Sequence, residues 1–209
     1  MTRGAQNKER GKDDAMSQAD EERREAARLP EGDVVAILLE QHARIRDLFT
    51  EVKSAEGTHK QQAFDELRAL LAVHETAEEM IVRPVAEDTI GKDEAEARNR
   101  EEAEANKVLA RLEKMDLTSS DFDAQLAAFE QAVVAHAEHE EREEFPGVHA
   151  GRSEEQLRNM GTRLRAAEKV APTHPHPSAA GSPTAQWTVG PFASLVDRTR
   201  DAINEATRG

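Results

Sequence analysis

The chain has 209 residues, a formal net charge of −14, a single Trp and neither Cys nor Tyr. That length allows one domain with tails or at most two small domains, and the lack of Cys excludes a disulfide framework, a thiolate metal site and thiol catalysis. An acidic balance with no basic stripe argues against nucleic-acid binding, and no apolar run approaches membrane-spanning length.

Many charges with few β-branched and aromatic residues favour helices over sheets. Residues 1–31 read as a charged N-terminal tail, disordered or a solvated helix, without the apolar stretch of a signal peptide. The protein is accordingly expected to be soluble and cytoplasmic. Pro30-Glu31-Gly32-Asp33 is a break and then a cap, and helix one follows over about 34–53 with Leu38, His42, Ile45, Phe49 and Val52 on one face. Helix two spans about 58–87. Gly91 separates it from helix three, which ends near Met115. Ser119 to Asp121 supply the next cap, and helix four runs to about Glu144. Short connections between four long helices predict antiparallel neighbours, so residues 32–149 are expected to form an all-α, up-down-up-down four-helix bundle with additional C-terminal helices. Residues 150–170 form an accessory helix with Leu157, Met160, Leu164 and Ala167 on one face. Residues 171–209 are a Pro-rich linker and a short terminal helix that carries Phe192, Leu195, Val196 and Ile203. That helix is marginal alone, so it is expected to dock on the bundle or on another chain, through self-association or a protein partner.

Helices two and four repeat one pattern. His74 aligns with His136, Glu78 with Glu140, Glu79 with Glu141 and Pro84 with Pro146. A His and a Glu four residues apart share a helix face. Here that face is the apolar one: Phe64, Leu67, Leu71, His74, Glu78, Ile81 and Val85 in one helix, and Phe122, Leu126, Phe129, Val133, His136 and Glu140 in the other. An unpaired buried carboxylate costs on the order of several kcal/mol, and a bound cation removes that cost by turning carboxylate and imidazole into ligands. With only nitrogen and oxygen donors, iron, manganese or zinc suits best. Helix one adds His42 between Leu38 and Ile45.

Helix three has no His. Its stripe of Ala105, Val108, Leu109 and Leu112 projects back to Arg98 and Glu101, with Glu102 on the shoulder and Glu104 farther out. Glu101 is therefore the first candidate ligand and Glu102 the second, against the bland reading that both are solvated. The Glu-x-x-His pairs of ferritin-like bundles and the second His of a zinc-protease helix are absent from these helices. His139 lies beside the stripe. His59 and His149 read as surface residues, and His174 and His176 fall in the linker.

The segments 38–45, 74–84 and 136–146, in that order on a four-helix bundle, resemble the hemerythrin-like, or HHE cation-binding, family. The resemblance covers about 32–149. It implies two non-heme iron ions per chain, oxo- or hydroxo-bridged, with His42, His74 and His136 as terminal ligands and Glu78 and Glu140 as bridges. The family usually places a His on helix three, where this chain offers Glu101 or Glu102. A carboxylate there favours ferric iron, or that iron keeps an open position for water or a diatomic ligand. The function expected is a stress-protective, catalase-like redox activity on oxygen, peroxide or nitric oxide. The alternatives are non-catalytic oxygen binding, iron sensing or iron storage, and, last, a purely structural bundle.

Overall fold

The computed structural model describes residues 17–169 and 171, and the chain is all-α over them. Two long helices, α2 (Val34–Ser54) and α3 (Gly57–Ile81), pack together, with α1 (Gln18–Ala26) against α2. A short α4 (Arg83–Ile90) leads into α5 (Lys92–Leu112), which packs on α6 (Ser120–His139). A π-helical turn (Glu140–Glu144) and α7 (Phe145–His149) continue α6, and α8 (Glu154–Glu168) closes over α2 and α3. The tail before Ser17 and, Ala171 apart, the linker and terminal helix with His174 and His176 lie outside the described residues.

The starts of these helices are written in local chemistry. The Asp33 carboxylate accepts from the Val35 amide at 2.9 Å. Ser119 does the same for Phe122 at 3.1 Å, and Ser153 and Gln156 form a reciprocal capping box. Helix two, expected as one piece to residue 87, is broken at Val82 into α3 and α4. The cause is Pro84, which has no amide hydrogen and cannot accept the bulk of a preceding helical turn. Helix four likewise gives way to a π turn that starts at Glu140, six residues ahead of Pro146, where the Phe145 amide bonds the Glu140 carbonyl.

Contacts between helices fix their directions. His42 meets Glu141 and Lys53 meets Glu130, so α2 and α6 run antiparallel. The same holds for α2 and α3 through Gln41–His74 and Arg44–Glu66, and for α3 and α5 through Glu75–Asn106 and Arg68–Glu113.

Two apolar clusters fill the interior. One joins Val34 to Leu39 of α2 with Ala77, Ile81, Phe145, Val148 and the inner face of α8. The other joins Ile45, Leu48, Phe49 and Val52 with Phe64, Leu67, Leu71, Leu109, Leu112, Phe122, Leu126, Phe129 and Val133. On α2, on α3 and along the run from α6 through the π turn to α7, the His and Glu positions fall where one cluster gives way to the other, so the polar groups occupy the waist between two hydrophobic cores.

Two segments outside the four long helices are part of this body. The N-terminal tail, read as disordered or solvated, contains α1, whose Ala19, Glu22 and Ala26 are buried. Glu22 accepts from Arg46 Nε of α2 at 2.5 Å, and burial pushes its pKa up to about 7 although Arg46 pulls it down. The inner face of α8 holds Leu157, Met160, Leu164 and Ala167, as its spacing predicts. It also approaches the 30–33 turn so closely that a Cβ on Gly161 would overlap the Gly32 carbonyl oxygen and lie 2.9 Å from Ile37 Cδ1. Gly161→Ala is therefore expected to destabilise the fold by about 1–3 kcal/mol, read as a lower denaturant midpoint. Its metal content should not change, since α8 carries no candidate ligand. Among the described residues no helix is long and apolar enough to cross a membrane.

Candidate metal centre

Six side chains meet at the waist in two overlapping groups. His42, His74, Glu78 and Glu140 form the first, with donor atoms all within 4.8 Å of one another. Glu102, His136 and Glu140 form the second to the same measure. Glu140 belongs to both. Its Oε2 faces His42 Nε2 at 3.5 Å, and its Oε1 faces His136 Nε2 at 3.1 Å.

Each imidazole is oriented by a partner behind it. His42 Nδ1 lies 2.7 Å from Glu141 Oε1, His74 Nδ1 lies 2.7 Å from Gln41 Oε1, and His136 Nδ1 lies 3.0 Å from Glu101 Oε2. All three partners are acceptors, so in each ring Nδ1 carries the hydrogen. The Nε2 lone pairs are then turned toward the cluster when the rings are neutral, the arrangement metal-binding histidines use. Gln41 is itself held by donating to Glu168 of α8 at 2.5 Å. Phe145 stacks on His42 with centroids 5.6 Å apart, closing the apolar side.

Five donor atoms are buried with no hydrogen-bond partner: His42 Nε2, Glu78 Oε2, Glu102 Oε2, His136 Nε2 and Glu140 Oε2. Buried polar atoms are normally satisfied, and leaving one unmet costs about 1–3 kcal/mol. These five belong to residues that face one another, so a cation among them would satisfy them together. Nitrogen and oxygen donors of this kind fit iron.

The charges respond to the crowding. Burial works against a proton on His42, but the facing carboxylates of Glu140 and Glu141 outweigh it and lift the pKa to about 9. His74 goes the other way, to about 3, through burial and repulsion from His42. Burial drives Glu78 and Glu102 well above the usual carboxylate range. For Glu140 burial acts upward too, but His136, His42 and Arg83 together hold it well below that range.

On α5 it is Glu102, not Glu101, whose carboxylate lies within the cluster. Leu112, Leu109, Glu102 and Arg98 are buried on α5, whereas Val108 is only partly so. Seven residues before Leu109 is Glu102; counting from Val108 instead leads to Glu101. Glu101 stands at the rim, 39% exposed, bonded to His136 and 3.2 Å from Arg98. It orients a candidate ligand. Glu104 is exposed and pairs with Lys107, His139 lies 3.9 Å from Glu101, His149 lies 3.2 Å from Asp33, and His59 is exposed.

Two participants were not anticipated. Arg83, 4% exposed, reaches Glu102, Glu140 and Glu144. Glu144 is buried four residues after Glu140, a spacing that continues the stripe and could have marked it. No periodic signal marks Arg83, because Pro84 interrupts the helix there. Beside the cluster, a cleft of about 690 Å³ lined by Ile45, Leu71, Val108, Phe129 and Val133 reaches His42, His74 and His136.

The sequence model of the hemerythrin HHE cation binding domain matches residues 33–148. An uncharacterized hemerythrin-like protein of Schizosaccharomyces pombe is 30% identical over 138 residues, 65% of this chain and 68% of the relative. No solved structure matches significantly.

Proposed function

The chain belongs to the hemerythrin HHE cation-binding family, and we propose that it holds a pair of non-heme irons with which it consumes peroxide or nitric oxide, or reacts with oxygen, in the cytoplasm. One observation carries this reading: five unpartnered donor atoms, spread over two groups that share Glu140, face one another in a buried waist. His42, His74, Glu78 and Glu140 would hold one ion, and Glu102, His136 and Glu140 the other. Bound iron supplies one-electron redox chemistry and coordination positions for a small molecule.

The chain's own residues do the rest. Glu141, Gln41 and Glu101 keep each ring in the tautomer that presents Nε2. The cleft, apolar over most of its surface and lined also by Arg46, Glu75, Arg100 and Arg111, gives small molecules a path to the imidazoles. Three carboxylates against three imidazoles make the donor set hard and anionic, which favours ferric iron. Ferric iron does not bind oxygen, so consumption of peroxide or nitric oxide is supported over reversible carriage. A chain without cysteine also has no thiol to lose under oxidising conditions.

The test is to count iron per chain, reduce the protein anaerobically, and add oxygen, peroxide and nitric oxide separately. Rapid oxidation with peroxide or nitric oxide turnover, abolished in His136→Ala, is expected. A stable oxygenated form that releases oxygen under argon without peroxide turnover would overturn this in favour of carriage or sensing.

A further inference from the structure

Arg83 lies among the donors of one half of the centre and not the other. Its Nη1 donates to Glu144 Oε1 at 2.5 Å. Its Nη2 donates to Glu102 and stands 3.3 Å from Glu140 Oε1. Glu102 and Glu140 are two of the three candidate ligands of the second group, and the oxygens Arg83 takes, Oε1 in both, are the ones that face His136 Nε2. The first group keeps its own oxygen: Glu140 Oε2 faces His42 and has no hydrogen-bond partner. One carboxylate is thus divided, with a metal-binding edge toward His42 and a guanidinium-bound edge toward His136.

We propose that Arg83 is a built-in cation of the Glu102–His136–Glu140 half, so that the two halves take metal with unequal affinity and the second gains its His136-facing oxygens only in exchange for the guanidinium. The proposal rests on the metal-binding reading above. Charge argues for it. The buried carboxylates Glu102, Glu140 and Glu144 surround Arg83, and a guanidinium does not give up its proton in the accessible pH range. Arg83 therefore offsets part of the negative charge of the second half at every working pH. A divalent ion arriving there finds Glu102 Oε2 unpartnered, but meets two carboxylates already neutralised in part and must break buried, charge-assisted pairs to gain the Oε1 atoms that face His136. In the first half no guanidinium or ammonium among the described residues hydrogen-bonds His42, His74 or Glu78, and the charge of Arg83 reaches Glu78 only through space. Glu144 is not in either candidate ligand group, so it can keep Arg83 Nη1 while Nη2 leaves Glu102 and Glu140. Geometry also makes the exchange local. Arg83 starts α4 at the break imposed by Pro84, so its backbone is not locked inside a continuous helix.

The experiment is a calorimetric titration of the chelated, full-length chain with ferrous iron under anaerobic conditions, with metal counted after desalting. The wild type should show one tight and one weak site, separated by about 100-fold, the scale on which groups beyond the ligands tune metal affinity. Arg83→Gln should bring the two sites within about tenfold of each other, and two irons should survive desalting. Arg83→Lys keeps a cation and should remain unequal. Should Arg83→Gln fail to fold by circular dichroism, Arg83→Met, which fills a similar volume without charge, makes the same comparison. Two equally tight sites in the wild type, or an unchanged gap in the neutral variants, would overturn the role of Arg83 while leaving the metal centre standing. No iron bound by any form would overturn the metal-binding reading itself, and this proposal with it.

Discussion

Glu140→Gln is expected to leave the chain unable to retain iron in either half of the centre, the largest single effect on metal content. Glu140 is the one side chain common to both candidate groups, with one oxygen toward His42 and the other toward His136. Glutamine keeps the volume but removes the charge and turns one of the two donor oxygens into an amide nitrogen with no lone pair to give. Each half should lose at least about 100-fold in affinity, beyond what a change behind the ligands costs. The neighbouring variants then form a ladder under saturating iron. Glu78→Gln removes a ligand from the first half alone, and Glu102→Gln one from the second half alone, so each should retain a single iron. Glu101→Gln keeps both ligand sets but replaces the charged partner of His136 Nδ1 and of Arg98 by a neutral amide whose oxygen can still accept. It should bind the second iron about 10- to 100-fold more weakly without changing the count at saturation. Iron per chain after anaerobic reconstitution decides the matter. Wild-type iron in Glu140→Gln would remove the shared carboxylate from the centre, and a single iron would confine it to one half.

The ladder differs from the order in which the sequence ranks Glu101 and Glu102, and the reason is physical. On α2, α3 and α6 the candidate ligands sit inside long apolar stripes, with large hydrophobic residues before and after them: Leu38 and Ile45 around His42, Leu71 and Ile81 around His74 and Glu78. Helical periodicity read from both sides leaves little freedom in phase, so these positions are legible. On α5 the apolar residues lie only on the C-terminal side. Projecting from Val108 or from Leu109 shifts the answer by one residue, about 100° of rotation, which separates a rim carboxylate from a buried one. Arg83 was illegible for a different reason. Periodicity carries information only while the helix continues, and Pro84 ends α3 just where Arg83 enters. Glu144 is four residues after Glu140, in phase with the stripe, but it ends a run of glutamates from Glu138 that reads as a solvated face. The charged tail hid α1 because its inner face is two alanines and a glutamate, and the partner of buried Glu22 is Arg46, distant in the chain.

Chelation is expected to lower the melting temperature by about 8–16 °C near neutral pH, and the gap between metal-free and loaded protein should widen as the pH rises to 9. Metal held at about 1,000 times its dissociation constant adds about 4 kcal/mol, and in a domain of this size each kcal/mol shifts melting by about 2–4 °C. The pH dependence follows from where the protons sit. In the metal-free fold His42 holds its proton up to about 9 against 6.5 in the free chain. That contribution to stability is complete below pH 6.5 and is lost as the pH passes through 9, on the order of 3 kcal/mol. His136 and the buried carboxylates Glu78 and Glu102 are shifted in the same upward direction, so they too destabilise the metal-free fold as the pH rises. His74 and Glu140 are shifted downward and act on the other flank, where stability falls with acidification below 6.5 and below the usual carboxylate range. Loaded protein has none of the alkaline loss from these groups, because imidazole and carboxylate bind metal only after their protons have left. Thermal melts with and without chelator from pH 6 to pH 9 test this. A gap that stays constant or narrows toward pH 9 would mean that the protons on His42 and its neighbours are not what the metal displaces.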